Sequence, residues 1–454
     1  MARPALWLYS ALAWASQPLL RRKLRRRARA EPGYAKAVGE RFGRYQPSLD
    51  SLSPQSTSDL LSRFVWVHAV SLGETRAAAI LIDALRRELP GMRLLLTHGT
   101  ATGRAEGEKL LQPGDVQVWL PWDTPGAVRR FLRQFRPVVG ILMETEVWPN
   151  LVAACRQRGV PLVLANARLN ARSLHRAQRM RWLAKPAYGA LAAVWAQTEA
   201  DAERLHALGA PVQGVLGNLK FDLVPDAELL ARGRDWRTRQ LRPVVMLASS
   251  REGEEVLWLE ALKPKQAEVL ASQEPLAIKN GVADASSLAS GVQWLVVPRH
   301  PQRFDEVQRL LQEAGLRVSR RSSWQAGPPQ DVDVWLGDTL GEMPLYYGLS
   351  DVVLLGGSFA PLGGQNLIEA AACACPVVLG PHTFNFAEAS ELACASGAGL
   401  RVADMAEGVE RATMLAGDAA ALEQARARAE GFAQSHRGAA KATARAVRQL
   451  LQRG

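Results

Sequence analysis

Residues 64–75 read FVWVHAVSLGET, and the fold turns on how this stretch is parsed. Phe64–Val70 is an apolar, β-prone run. It ends at Gly73, which allows a sharp turn, and is followed by Thr75–Leu89, where Ala78, Leu81, Ile82 and Leu85 recur at helical spacing. A strand that feeds directly into a helix is half of a βαβ unit. The pattern repeats downstream, with further strands predicted at Leu94–Thr97, Val116–Leu120, Val138–Met143, Leu162–Ala165 and Ala193–Gln197. A second series follows at Val244–Ala248, Trp294–Val297, Val332–Leu336, Val352–Leu355 and Val377–Leu379. Two doubly wound α/β domains are expected, with ligands beyond the carboxyl ends of their strands and the site in a cleft between them.

The length of 454 residues fits two such domains, and 48% hydrophobic against 22% charged residues excludes a disordered chain. Four cysteines, Cys155, Cys373, Cys375 and Cys394, are too few for a disulfide framework and form no C-x-x-C pair. Asp222–Pro243 is polar and reads as the linker, Lys263–Gly291 as a surface insertion, and the Ala/Arg-rich stretch Ala419–Arg453 as a solvated helix or helix pair.

The net charge of +12 is concentrated at the amino terminus: residues 1–45 carry eleven Lys/Arg against Glu31 and Glu40, leaving +3 for the other 409 residues. That distribution argues against a body-wide nucleic-acid surface. Pro4–Leu20 is apolar, contains Trp7, Tyr9 and Trp14, and runs straight into RRKLRRRAR. As a helix it would extend roughly 26 Å, just short of a bilayer core of about 30 Å. Its charge follows the apolar run, the reverse of a secretory signal, so a retained membrane anchor is expected, spanning or interfacial, with the body on the cytoplasmic side. The ordinary alternative is an amphipathic helix packed on the protein's own body.

Several loops carry candidate chemistry. Glu74 sits at a helix N-terminus, where a carboxylate also serves as a cap. In METEVWPN, Met143–Asn150, Glu144 and Glu146 lie beyond a buried strand beside Trp148 and Asn150, a set suited to proton handling or to sugar hydroxyls. In the second half SSREGE, PRHP, GDTLGEM and GGSFAPLGGQNLIE each follow a predicted strand and should converge on one sheet edge. There Arg251, Arg299, the glycine amides and a helix beginning near Asn366 could hold a phosphate. Asp331-Val332-Asp333 precedes its strand and is expected to be a solvated turn, and His98, His300 and His382 lack metal-ligand spacing.

Taken together, these strings resemble the Kdo transferase family, the 3-deoxy-D-manno-octulosonate transferases of lipopolysaccharide inner-core assembly. The likeness runs in order through VHAVSLGE, LPWD, METEVWPN, NARLNARS, GNLKFD, SSREGE, VPRHP, GDTLGEM, GGSFAPLGGQN and GPHTFNFAE. The resemblance implies a GT-B fold: an anchor and polybasic segment at 1–30, an acceptor-binding Rossmann-like domain at 31–222, a linker at 223–243, a CMP-Kdo-binding domain at 244–430 and a C-terminal helix at 431–454. It implies inverting, metal-independent transfer of Kdo from CMP-Kdo to a lipid A precursor at the inner membrane, with no cofactor and no nucleic-acid partner. Carried over, Glu74 would be the general base, and Glu144 and Lys220 would stabilise the transition state. CMP would be held by Ser250, Arg251, Arg299, His300, Gly341, Glu342, Met343, Gly364, Asn366, Leu367, Ile368 and Glu369. The sequence departs from the family's G-G-H-N-P at Gln365 and Leu367, so no cationic role transfers to Gln365. Competing expectations are another GT-B transferase or a nucleotide-sugar epimerase, which would prefer a UDP-sugar, and a peripheral binding protein without turnover.

Overall fold

The structure, a computed structural model, describes residues 3–45, 63–263 and 291–453. The expected insertion at 263–291 falls almost entirely outside the described residues. The chain divides into two compact units, Met1–Asp222 with His436–Gly454, and Leu223–Ser435.

The first unit is built on seven parallel strands: β1 (Phe64–His68), β2 (Arg93–His98), β3 (Val116–Trp119), β4 (Val139–Met143), β5 (Leu162–Ala167), β6 (Ala193–Ala196) and β7 (Val212–Val215), in the order β3-β2-β1-β4-β5-β6-β7. Both faces are covered. Phe64 and Trp66 of β1 enter one core with Phe131 and Leu151, while Val65 and Val67 enter the other with Leu81 and Leu85. Such two-sided burial is why these strands read as continuous apolar runs. Trp66 lies against Gly140 of β4, where a Cβ would stand 2.6 Å from the indole and from Leu162.

The carboxyl-terminal stretch corrects the expectation of a solvated helix. Gly438, at φ +112°, breaks it into Ala419–Ser435 and Ala439–Arg453. The second helix belongs to the first unit, where Ala440, Ala444 and Val447 join the core of Leu81 and Leu85. Its Arg445 and Arg448 reach Glu88 at 3.2 and 2.9 Å.

The second unit also has seven parallel strands: β8 (Val244–Ser250), β9 (Gln293–Pro298), β10 (Val318–Arg320), β11 (Val334–Leu336), β12 (Val352–Leu355), β13 (Val377–Leu379) and β14 (Gly399–Arg401), ordered β10-β11-β9-β8-β12-β13-β14. The predicted linker is not one: Ala227–Thr238 is a helix of this unit, capped by Asp226, which accepts the N–H groups of Glu228 and Leu229 at 3.0 Å. This helix packs through Gly233, where a Cβ would stand 2.1 Å from the Leu345 carbonyl oxygen, and through buried Trp236. A helix that docks by close backbone approach needs no apolar stripe. Asp333 is likewise not solvated, because it is buried and paired with Arg317 through both carboxylate oxygens.

At the amino terminus, Arg3–Ala15 and Gln17–Ala30 are helices, and the second has Pro18 in its first turn. No described helix is long and apolar enough to cross a membrane. Trp7 is 76% and Trp14 71% exposed, and Leu8, Leu12 and Leu19 are also largely in solvent. The inner side of the helix is tethered by hydrogen bonds. Ser10 donates to Asn150 Oδ1 at 2.8 Å, and Tyr9 hydrogen-bonds Asp123. Asp123 in turn accepts the N–H groups of Asn150 (3.0 Å) and Leu151 (2.8 Å).

Candidate active site

In the first sheet the strand order reverses between β1 and β4, and the loops leaving these two neighbours carry Glu74 and Glu144. This is the switch point at which open α/β sheets bind ligands. Ser71 caps the helix Leu72–Glu88 and accepts the Glu74 N–H, while the Glu74 carboxylate accepts from Val70 N–H at 2.8 Å and from the Ser71 hydroxyl at 3.2 Å. Glu74 is therefore the cap its position suggested, and each carboxylate oxygen retains a lone pair. Burial, opposed by the Val70 hydrogen bond and reinforced by Glu144 and Glu146, raises its carboxyl to about 7. A carboxyl poised there changes protonation state at neutral pH, as a general base requires.

Glu144 is only 4% exposed and adopts φ +58°, a left-handed conformation rare for a glutamate. Strain of this kind persists where surrounding structure enforces it, commonly at functional sites. Its carboxylate lies 2.8 Å from Arg168 Nε and 3.6 Å from Lys220 Nζ. The GNLKFD loop is brought there by Asn166, whose Oδ1 accepts the Leu219 N–H at 3.0 Å. Glu144 and Lys220, 76 positions apart in sequence, are thus brought to 3.6 Å of each other. Glu146 is held by the Trp148 indole, and burial raises its carboxyl.

In the second sheet, β11, β9, β8 and β12 are consecutive and parallel, so the four anticipated loops leave the same edge, joined by Gly380–Glu388 after β13. Their side chains divide. Arg299 and His300 are exposed and Arg251 is half-buried. Burial, with Arg251 and Arg299 nearby, lowers the His300 imidazole below its usual range. Met343 and Glu369 are partly accessible, and Gly341 and Gly364 take positive φ.

Other expected ligand residues are committed elsewhere. Ser250 is fully buried and donates to Glu255 at 2.6 Å, which binds Arg303 through both oxygens at 2.9 and 3.0 Å. Leu367 and Ile368 have core side chains, and Asn366 caps its own helix by accepting the Ile368 N–H. Glu342 pairs with Arg321 at 2.9 Å and with the Thr339 hydroxyl.

The largest revision concerns the glycine-rich loop. Its Gly357, Phe359 and Ala360 N–H groups, with that of Arg251, all donate to Glu254, a carboxylate with no exposed surface. The loop that was expected to offer these amides to a phosphate already holds a carboxyl group of its own, which burial raises above its usual range against the pull of these N–H groups. The helix after it, Leu367–Ala372, has six residues and a weak dipole. Arg299 is exposed at this edge, and half-buried Arg251 beside it pairs with Glu252 at 3.0 Å. Replacing Glu254 by Ala would leave four N–H groups without an acceptor, at about 1–3 kcal/mol for each one kept from water. The expected loss exceeds about 3 kcal/mol and would be read as a lower urea midpoint.

Arg168, His68 and Asp123 also belong to the first unit's site region and were not singled out from the sequence. Arg168 and His68 lie within the quoted strings NARLNARS and VHAVSLGE, and their neighbours are supplied only by the fold.

Residues 36–223 match the family described as 3-Deoxy-D-manno-octulosonic-acid transferase (kdotransferase). The chain is 47% identical over 393 residues to a 3-deoxy-D-manno-octulosonic acid transferase of Bordetella pertussis, covering 85% of this chain and 87% of that protein. It is 32% identical over 410 residues to the protein of the same name from Haemophilus influenzae, covering 89% of each. Among solved structures, it resembles a glycosyltransferase from Rickettsia africae (TM-score 0.54, 12% identity, 86% of this chain and 100% of that one). It also resembles a UDP-GlcNAc 2-epimerase from Neisseria meningitidis (TM-score 0.53, 14% identity, 86% and 100%). At these identities the structural likeness establishes the shared architecture of two parallel-sheet α/β domains, the GT-B fold.

Proposed function

The chain belongs to the Kdo transferase family of glycosyltransferases, and on that premise we propose that it transfers Kdo from CMP-Kdo to a hydroxyl of a lipid A precursor, with inversion and without a metal. The acceptor oxygen bonds to the anomeric carbon and its proton passes to Glu74. The bond from that carbon to the CMP phosphate oxygen breaks, its electron pair leaving on CMP. Glu144 orients the Lys220 ammonium and the Arg168 guanidinium, cations that act on charge developing as CMP departs. Arg251, Arg299 and His300 bind the CMP phosphate, a single phosphodiester whose charge two arginines can balance. The observation that carries this reading is the strained, buried Glu144 between Arg168 and Lys220, beside a Glu74 poised near neutrality.

The body works at the cytoplasmic face of the inner membrane. Trp7, Leu8, Leu12, Trp14 and Leu19 form an exposed apolar face that enters the interfacial layer, and the following Lys/Arg contribute about 1 kcal/mol each against anionic headgroups.

The test is release of CMP from CMP-Kdo with detergent-dispersed tetraacylated lipid A precursor, in EDTA, with products weighed by mass spectrometry. The expected result is a product heavier by whole Kdo units. Turnover abolished by EDTA would overturn metal independence, and CMP binding without product would overturn the acceptor assignment.

A further inference from the structure

The loop from Glu144 to Trp148 is pinned at both ends. At its start the Glu144 N–H donates to the Ala165 carbonyl at 3.0 Å, and the Glu144 carbonyl accepts the Arg168 N–H at 3.2 Å. At its end the helix Pro149–Gln157 begins without a local cap, because the residue at the capping position is Trp148, whose indole can only donate. Pro149 brings no N–H, so the first donors of the helix are those of Asn150 and Leu151. Asp123 takes both from a distant part of the chain: its Oδ2 accepts the Asn150 N–H at 3.0 Å and its Oδ1 the Leu151 N–H at 2.8 Å. Its main-chain carbonyl also accepts the Asn150 side-chain amide at 2.7 Å.

The amino-terminal helix Arg3–Ala15 closes on this cap. Burial, reinforced by Asp123, pushes the Tyr9 phenol well above its usual range, so Tyr9 stays protonated and donates to the Asp123 carboxylate. Burial raises the Asp123 carboxyl to about 6, and the Asn150, Tyr9 and Leu151 donors oppose that rise. Each donor thus helps to keep Asp123 ionised, with both oxygens open to the helix N–H groups. Ser10 shares its single proton between the Leu6 carbonyl at 2.6 Å and Asn150 Oδ1 at 2.8 Å. Two adjacent residues of the helix therefore grip the two residues that fix the far end of the Glu144 loop. The exposed Trp7, Leu8, Leu12 and Trp14 have no part in that grip. A left-handed glutamate buried beside two cations persists only where its surroundings over-determine it, and these contacts supply the second of its two pins.

We propose that the helix Arg3–Ala15 is a positioning element for transfer: Tyr9, through Asp123, holds the start of Pro149–Gln157 and thereby keeps the Glu144 loop in the geometry that presents Glu144 to Lys220 and Arg168. The proposal rests on the transferase reading insofar as Glu144 serves that reaction. It gives the helix two separate duties, an outer apolar face for the lipid surface and an inner pair, Tyr9 and Ser10, for the site.

The test uses the full chain with Y9F and Y9F/S10A, which remove hydroxyls from a half-buried helix face and leave the Asp123 cap of Pro149–Gln157 in place. In the detergent assay kcat should fall about tenfold, the scale of a small misplacement at the site. KM for CMP-Kdo should stay within about twofold, and the melting temperature and partition onto anionic vesicles should not change. Amide exchange across residues 143–155 should quicken by about tenfold, reporting the loosened loop. L12S/W14S should do the reverse, lowering vesicle partition while exchange across 143–155 stays as in the wild type. Wild-type kcat in Y9F/S10A would overturn the proposal, whatever its exchange. So would a loss of kcat matched by an equal loss of vesicle partition, since the helix would then only deliver the protein to lipid. A wild-type chain that forms no product from CMP-Kdo, yet shows faster 143–155 exchange in Y9F/S10A, would sink the transferase reading and leave the tether standing.

Discussion

Glu74→Gln is expected to fold and to bind CMP while losing about 10²–10⁴ in turnover, the contribution of a positioned general base. Glutamine keeps the shape, and its amide oxygen can still accept the Val70 N–H that holds the wild-type side chain at 2.8 Å. What disappears is the ability to take a proton. The sign of the pH dependence follows from the raised carboxyl: with ionisation near 7, the wild-type rate should level off above that pH and fall about tenfold per unit below it. The linkage to stability runs the other way. A carboxyl whose folded-state value lies above its unfolded one favours folding while protonated, and loses that contribution as pH rises through about 7. Neutral glutamine should therefore not lower the melting temperature at pH 8. Loss of activity with an unchanged or higher Tm supports the base, whereas near-wild-type turnover removes Glu74 from the chemistry.

Lys220→Met should cost about 10²–10³ in kcat, the scale of removing one group aimed at developing charge, with little change in donor KM. The fold should survive because Glu144 keeps its closer partner, Arg168 at 2.8 Å, against 3.6 Å for Lys220. Single-turnover rates would isolate the chemical step, and a drop below about threefold would mean that Lys220 only balances the Glu144 charge.

The sequence made the central strands legible and left the edges obscure, for one physical reason. β1, β4, β8 and β12 are buried on both faces and read as apolar runs. The strands that escaped notice are β7, β10 and β14, each at a sheet edge, three or four residues long and only partly buried. The site shows the same division. Glu74, Glu144 and Lys220 lie in distinctive strings whose order along the chain points to them. Glu254 was visible as a letter, but its partners lie 103 to 106 residues downstream, and no local pattern shows that it fills the glycine loop. Gly233 looked like a linker residue because a glycine selected for close packing and one selected for flexibility are the same letter.

The helix Ala439–Arg453, which completes the core of the first unit, is the last described element of the chain. During synthesis the first unit emerges from the ribosome more than two hundred residues before that helix does, so its face of Leu81 and Leu85 must wait, partly uncovered, while the second unit is made. The body translated first is the body finished last. A released chain ending at Ser435 should carry a protease-sensitive first unit and a resistant second one, whereas the full chain should resist protease in both.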